Sequence, residues 1–125
     1  MQPFLLVMAG GAIGTALRYA VSLLAAHRLS AAFPWGTWLV NVTGGLFIGL
    51  LLGLIIARGG VGDTLRLFVG TGLLGGFTTF SAFSAEAGFM IVNGELWMAA
   101  AYVLSSVLGA LLLLFVGLWV SGAAA

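Results

Sequence analysis

Four long apolar runs decide what this chain can become. They cover about residues 3–26, 35–57, 65–92 and 96–120, and each reaches the ~20 residues that a helix needs to cross ~30 Å of hydrocarbon. The connectors are too short to hold an extramembrane domain. The reading is an all-α membrane protein, four transmembrane helices in a single domain over residues 1–125. Only 6% of the residues are charged and 62% are hydrophobic, against roughly 25% charged in an ordinary soluble domain. There is too little polar surface to cover a soluble globule. The first run is not read as a cleaved signal peptide: Met1-Gln2-Pro3 carries no basic side chain, and the run is long and contains Arg18.

The same scarcity of polar groups excludes several functions. There is no cysteine, hence no disulfide, thiolate chemistry or iron–sulfur ligation. One histidine and three acids cannot build a nucleophile–base constellation, so the chain is not read as an enzyme. A net charge of +1 offers no basic patch for nucleic acid.

Orientation is nearly balanced. Arg58 and Arg66, offset by Asp63, lie on the side that carries both termini; Arg28 and His27 lie on the other, with Arg18 deeper. Lys and Arg in short loops favour the cytoplasm, and these counts allow either one weakly biased orientation or insertion both ways. Glycines at spacing four, Gly10 and Gly14, Gly45, Gly49 and Gly53, and Gly72 and Gly76, let helix backbones approach closely in lipid. Trp35, Trp38, Trp97 and Trp119 fall near span ends, where indoles anchor at the interface.

Polar residues inside the spans need partners or purposes. Arg18 shares a face with Gly11 and Gly14 and should face protein, as an anchor to loose backbone carbonyls or as an ion contact. Asn41 follows Thr37 by one turn; its amide serves either an interhelical bond or a wet path. Tyr102, Ser105, Ser106 and Gly109 form one stripe on the fourth span, either glue or stepping stones for something hydrated. Glu86 is a membrane carboxylate for which Arg18 or a hydroxyl would be the partner.

The third span holds the stretch GGFTTFSAF, Gly75–Phe83. Two glycines and two threonines are weak helix formers, and the expected consequence is a break over about residues 75–79. Non-helical backbone is tolerated at that depth only when buried in protein or lining a wet cavity, and a broken helix offers free carbonyls to a cation. Phe80 and Phe83 resume the helix three apart on one side. Taken alone they read as packing, yet aromatic ring edges are weakly positive and would accept a small anion without holding it too tightly.

The break GGFTTFSAF, the second-span start GTWLVNVTGG and the first-span GGAIGTALRY, in this order over four short spans, resemble the Fluc family of bacterial fluoride channels across essentially the whole chain. The resemblance implies a dual-topology antiparallel homodimer in the bacterial cytoplasmic (inner) membrane. Two pores at its interface would let fluoride leave the cytoplasm passively and protect the cell from fluoride toxicity. It implies a structural sodium ion at the dimer centre, held by the backbone carbonyls of Gly75 and Thr78. Phe80 and Phe83 correspond to the ring-edge fluoride box and Asn41 to the pore-lining amide; Ser81, Tyr102, Ser106 and Thr37 continue the polar lining. Arg18 and Glu86 match recurrent polar positions of structural or supporting character. One departure is Ala82, where the family usually has threonine.

Two rival readings remain. A small multidrug-resistance-type proton-coupled exporter also has four short helices, but depends on a glutamate in its first span, and the first span here contains no acid. A non-transporting scaffold subunit would need the glycines alone, and leaves the interruption and the aligned hydroxyls without a purpose.

Overall fold

The computed structural model describes residues 1–123; Ala124 and Ala125, counted above in the single domain, lie outside the described residues. Four helices are long and apolar enough to cross a membrane, and no strand occurs among the described residues. Helix α1 is Gln2–Arg28. Pro3 sits in its first turn, where a missing N–H costs nothing, and His27 and Arg28 lie in its last turn, where positive charge suits the helix dipole. Helix α2 is Trp35–Ala57, and α6, the fourth span, is Leu96–Val120.

The third span, Asp63–Val92, is composite. It opens with one turn, α3 (Asp63–Leu65), continues as a nine-residue π-helix (Arg66–Leu74) and closes its first half with α4 (Gly75–Phe77). Thr78 and Thr79 are extended, with φ/ψ of −84°/158° and −150°/125°. Helix α5 (Phe80–Val92) then resumes. The non-helical backbone is thus confined to two threonines, and the expectation that Gly75 and Gly76 belong to it is corrected. At Gly76 the missing side chain serves packing, since a Cβ there would lie 2.6 Å from the Gly11 carbonyl oxygen.

Glycine contacts govern the layout. In lipid no hydrophobic drive brings helix to helix, so close backbone packing must hold them. Against α1, a Cβ on Gly10 would strike the Phe68 carbonyl oxygen, and one on Gly14 would strike that of Leu73. Between α2 and α6, added Cβ atoms at Gly45 and Gly49 would strike the carbonyls of Ala110 and Leu114. Trp38 departs from the interfacial role expected of it. It packs against the small core of Phe83, Met90, Ala99 and Tyr102, and its indole N–H donates to Ser105 Oγ at 3.0 Å.

Candidate functional site

The site begins with the backbone at Thr78–Thr79. Thr79 is the N-cap of α5, its Oγ1 accepting from the Ala82 N–H at 3.2 Å; threonine suits that position because its oxygen satisfies an orphan amide. Thr78 closes the first half, with both its N–H (3.0 Å) and its Oγ1 (2.9 Å) donating to the Leu74 carbonyl. Asn41 of α2 bridges the gap. Its Nδ2 donates to the Thr79 carbonyl at 2.8 Å, and its Oδ1 accepts from the Thr79 N–H at 2.8 Å. One side-chain amide thereby satisfies both polar groups of a residue that has no secondary-structure partner.

This bracing frees two carbonyls. In a continuous α-helix each N–H donates to the carbonyl four residues earlier. The Thr79 N–H would serve Gly75, but goes to Asn41. The Ala82 N–H would serve Thr78, but goes to the Thr79 hydroxyl. Gly75 and Thr78 both line a cavity of about 250 Å³ beside Gly44 and Gly45 of α2. Arg18 anchors the carbonyl between them, its Nε donating to the Gly76 oxygen at 3.1 Å.

On the other side of the interruption lies a cavity of about 230 Å³ lined by Asn41, Thr78, Thr79, Phe80, Phe83 and Ser106. The Phe80 and Phe83 ring centroids are 5.6 Å apart. Their exposures differ sharply: 79% for Phe80 and 8% for Phe83. Phe83 meets Tyr102 edge to face at 5.2 Å, which fixes its plane. Ser106 is 4% exposed, and its Oγ has no hydrogen-bond partner among the described residues. A buried hydroxyl left unpaired costs about 1–3 kcal/mol, and Ser106 is one of the residues around this cavity. Ser81 lies beside the cavity's edge, its Oγ 3.3 Å from Thr79 Oγ1.

Thr37 and Tyr102 are turned elsewhere. The Thr37 hydroxyl donates to Glu86 Oε1 at 2.8 Å and the Tyr102 hydroxyl to Oε2 at 2.6 Å. One carboxylate thus ties α2, α5 and α6 together. Of the two partners open to Glu86, the hydroxyls take the place and Arg18 does not. Ser105 is bonded to Trp38 and to the Tyr102 carbonyl at 3.3 Å, so the fourth-span stripe divides: Ser105 is glue, and Ser106 faces the cavity. Sequence reasoning left out Thr79, although a threonine three residues before Ala82 at the start of a helical run is an N-cap signal. It read Trp38 as an interfacial anchor, since no sequence signal distinguishes an interfacial indole from one bonded inward. Ala82, which lacks the hydroxyl of the threonine usual in the family, contributes its backbone N–H to the cap.

A profile of the family described as CrcB-like protein, Camphor Resistance (CrcB), matches residues 5–118. Among curated relatives, a protein of Hyphomonas neptunium named fluoride-specific ion channel FluC is 49% identical over 122 residues, 97% of this chain and 96% of its own length. Proteins of the same name from Chelativorans sp. and Rhizobium meliloti are 46% and 47% identical, covering 97% and 94% of each chain. With near-complete coverage, this identity and four membrane-capable helices, the chain belongs to the CrcB-like protein family, the family of fluoride channels that its motifs resemble.

Proposed function

We propose that this chain is a passive, fluoride-selective channel that lets fluoride leave the cytoplasm across the bacterial inner membrane and so protects the cell. The observation that carries the reading is the cavity at the interruption. It combines two phenyl rings, a buried hydroxyl with no partner, and an amide that braces the open backbone. Such a surface suits a small, strongly hydrated anion. Weakly positive ring edges and a serine O–H replace part of its water shell, and no arginine or lysine lines the cavity to hold it too long. The curated relatives bear the name of a fluoride-specific channel, and that name supports fluoride as the ion.

The conducting unit in this reading is an antiparallel homodimer with two pores at its interface. Phe80 is 79% exposed although it lines the cavity, which supports a second chain completing that wall. The near-balance of Arg58 and Arg66 against Arg28 and Arg18 supports insertion in both directions. Sodium is the cation assigned to the dimer centre. The Gly75 and Thr78 carbonyls, relieved of their helical donors, fit such an ion, since interrupted membrane helices offer unwound carbonyls in this way; bound there, it supplies fixed positive charge beside the path. Asn41 holds the Thr79 backbone so that these carbonyls keep their direction, and Glu86 draws the Thr37 and Tyr102 hydroxyl protons toward itself.

The test is ion efflux from liposomes holding the purified protein. Fluoride should leave without a proton gradient while chloride stays inside, and equal chloride efflux would overturn the reading. Phe83→Ala and Asn41→Asp should each slow fluoride efflux at least about tenfold, corresponding to ~1.4 kcal/mol of lost interaction. Unchanged rates in both would remove the cavity from the pathway.

A further inference from the structure

A third concavity shares no residue with the interruption's polar wall and meets the cavity beside Gly75 and Thr78 only at Leu74. A groove of about 400 Å³ lies between α1, α2 and the first half of the third span. Leu51 and Leu74 form its buried floor; Phe47, Leu54 and Leu65 are exposed at its rim. Along the third span the lining runs from Leu65 to Phe77, at most about 18 Å at helical rises of ~1.5 Å or less per residue. One leaflet of the hydrocarbon core is about 15 Å deep, half of ~30 Å. The groove therefore runs from the membrane surface to about mid-depth. An α-helix about 10 Å across fills roughly 400 Å³ in a single 5.4 Å turn. A groove of that volume drawn out over such a length encloses a slender chain and is too narrow to enclose a whole helix.

The surface end of the groove is basic. Arg58 caps α2 with its N–H donating to the Leu54 carbonyl at 3.1 Å, which sets it one turn beyond the rim. Arg66 directly follows Leu65 and pairs with Asp63 at 3.1 Å in an exposed ion pair. Arg58 has no ion pair among the described residues. Gly59 and Gly60, both at positive φ, reverse the chain beside it.

We propose that this groove binds an anionic phospholipid: one acyl chain lies along the groove, and its phosphate is held by Arg58 with Arg66 beside it. The apolar wall supplies dispersion contact to any lipid tail. The guanidinium supplies the choice of headgroup, because its planar donors match phosphate oxygens. The site stands apart from the fluoride reading and does not depend on it.

The experiment is native mass spectrometry of the purified full-length protein in detergent, offered phosphatidylglycerol or phosphatidylcholine with identical acyl chains. Phosphatidylglycerol should be retained at one per chain, about tenfold in preference to phosphatidylcholine. Arg58→Gln should cut that preference about fivefold, and Arg58→Gln with Arg66→Gln should abolish it. Val69→Trp, which fills the groove, should lower retention of both lipids at unchanged helix content by circular dichroism. Equal retention of the two lipids by the unmodified protein would overturn the proposal. So would undiminished lipid retention by a folded Val69→Trp protein.

Discussion

The two halves of the third span are held by different physics. Residues 66–77 lie against α1 with backbone on backbone: Gly10, Gly14, Gly72 and Gly76 leave no room for a Cβ. Residues 80–92 are held by directed polar bonds, with Glu86 accepting from Thr37 and Tyr102 and the Thr79 cap accepting from Ala82, beside the packing of Phe83 and Met90 against Ala99 and Tyr102. Shape locates the first half; hydrogen-bond geometry locates the second. Between them Asn41 braces the Thr78–Thr79 link from a separate helix. An interrupted helix needs such an arrangement, because without a continuous ladder neither half can position the other.

The contrast can be broken at four points, from the largest effect to the smallest. Gly14→Val should be the most damaging, since its Cβ would overlap the Leu73 carbonyl and lie 2.8 Å from the Phe77 nitrogen. Overpacking against backbone should cost about 3 kcal/mol or more, read as loss of a folded species on thermal melting in detergent. Glu86→Ala should cost about 2 kcal/mol by leaving the Thr37 and Tyr102 hydroxyls without their acceptor, whereas Glu86→Gln, keeping one acceptor, should cost about 1 kcal/mol. If Glu86→Ala melts like the unmodified protein, directed bonds do not hold the second half. Trp38→Phe removes the bond to Ser105 but keeps the ring, and a loss of about 1 kcal/mol is expected. Gly88→Ala on α5 adds a methyl where nothing lies within 4 Å, and should shift stability by no more than about 0.5 kcal/mol. A large loss there would mean that the second half also depends on glycine shape.

Legibility follows the same division. The four spans were readable because hydrocarbon thickness sets a length that any crossing helix must meet. The glycine spacings were readable as packing surfaces, but Gly75 and Gly76 carry an ambiguity that sequence cannot resolve. Absence of a side chain weakens a helix and equally permits close approach. The contact of Gly76 with Gly11 decides for close approach. The π-helix at Arg66–Leu74 had no sequence signal. Thr37 and Tyr102 were recognisable as polar positions, yet their partner was not. Choosing between Arg18 and the hydroxyls for Glu86 requires knowing which of three helices meet.

Sequence by itself therefore determined the solvent, the number of crossings and the residues too polar to leave unexplained, since each follows from the cost of moving a group into oil. Tertiary structure alone decided which polar groups satisfy one another: Asn41 with Thr79, Glu86 with Thr37 and Tyr102, and Ser106 with none among the described residues. A hydrogen bond exists only at ~3 Å and in line. Such distances between separate spans depend on how the helices lean, which no single run of residues encodes.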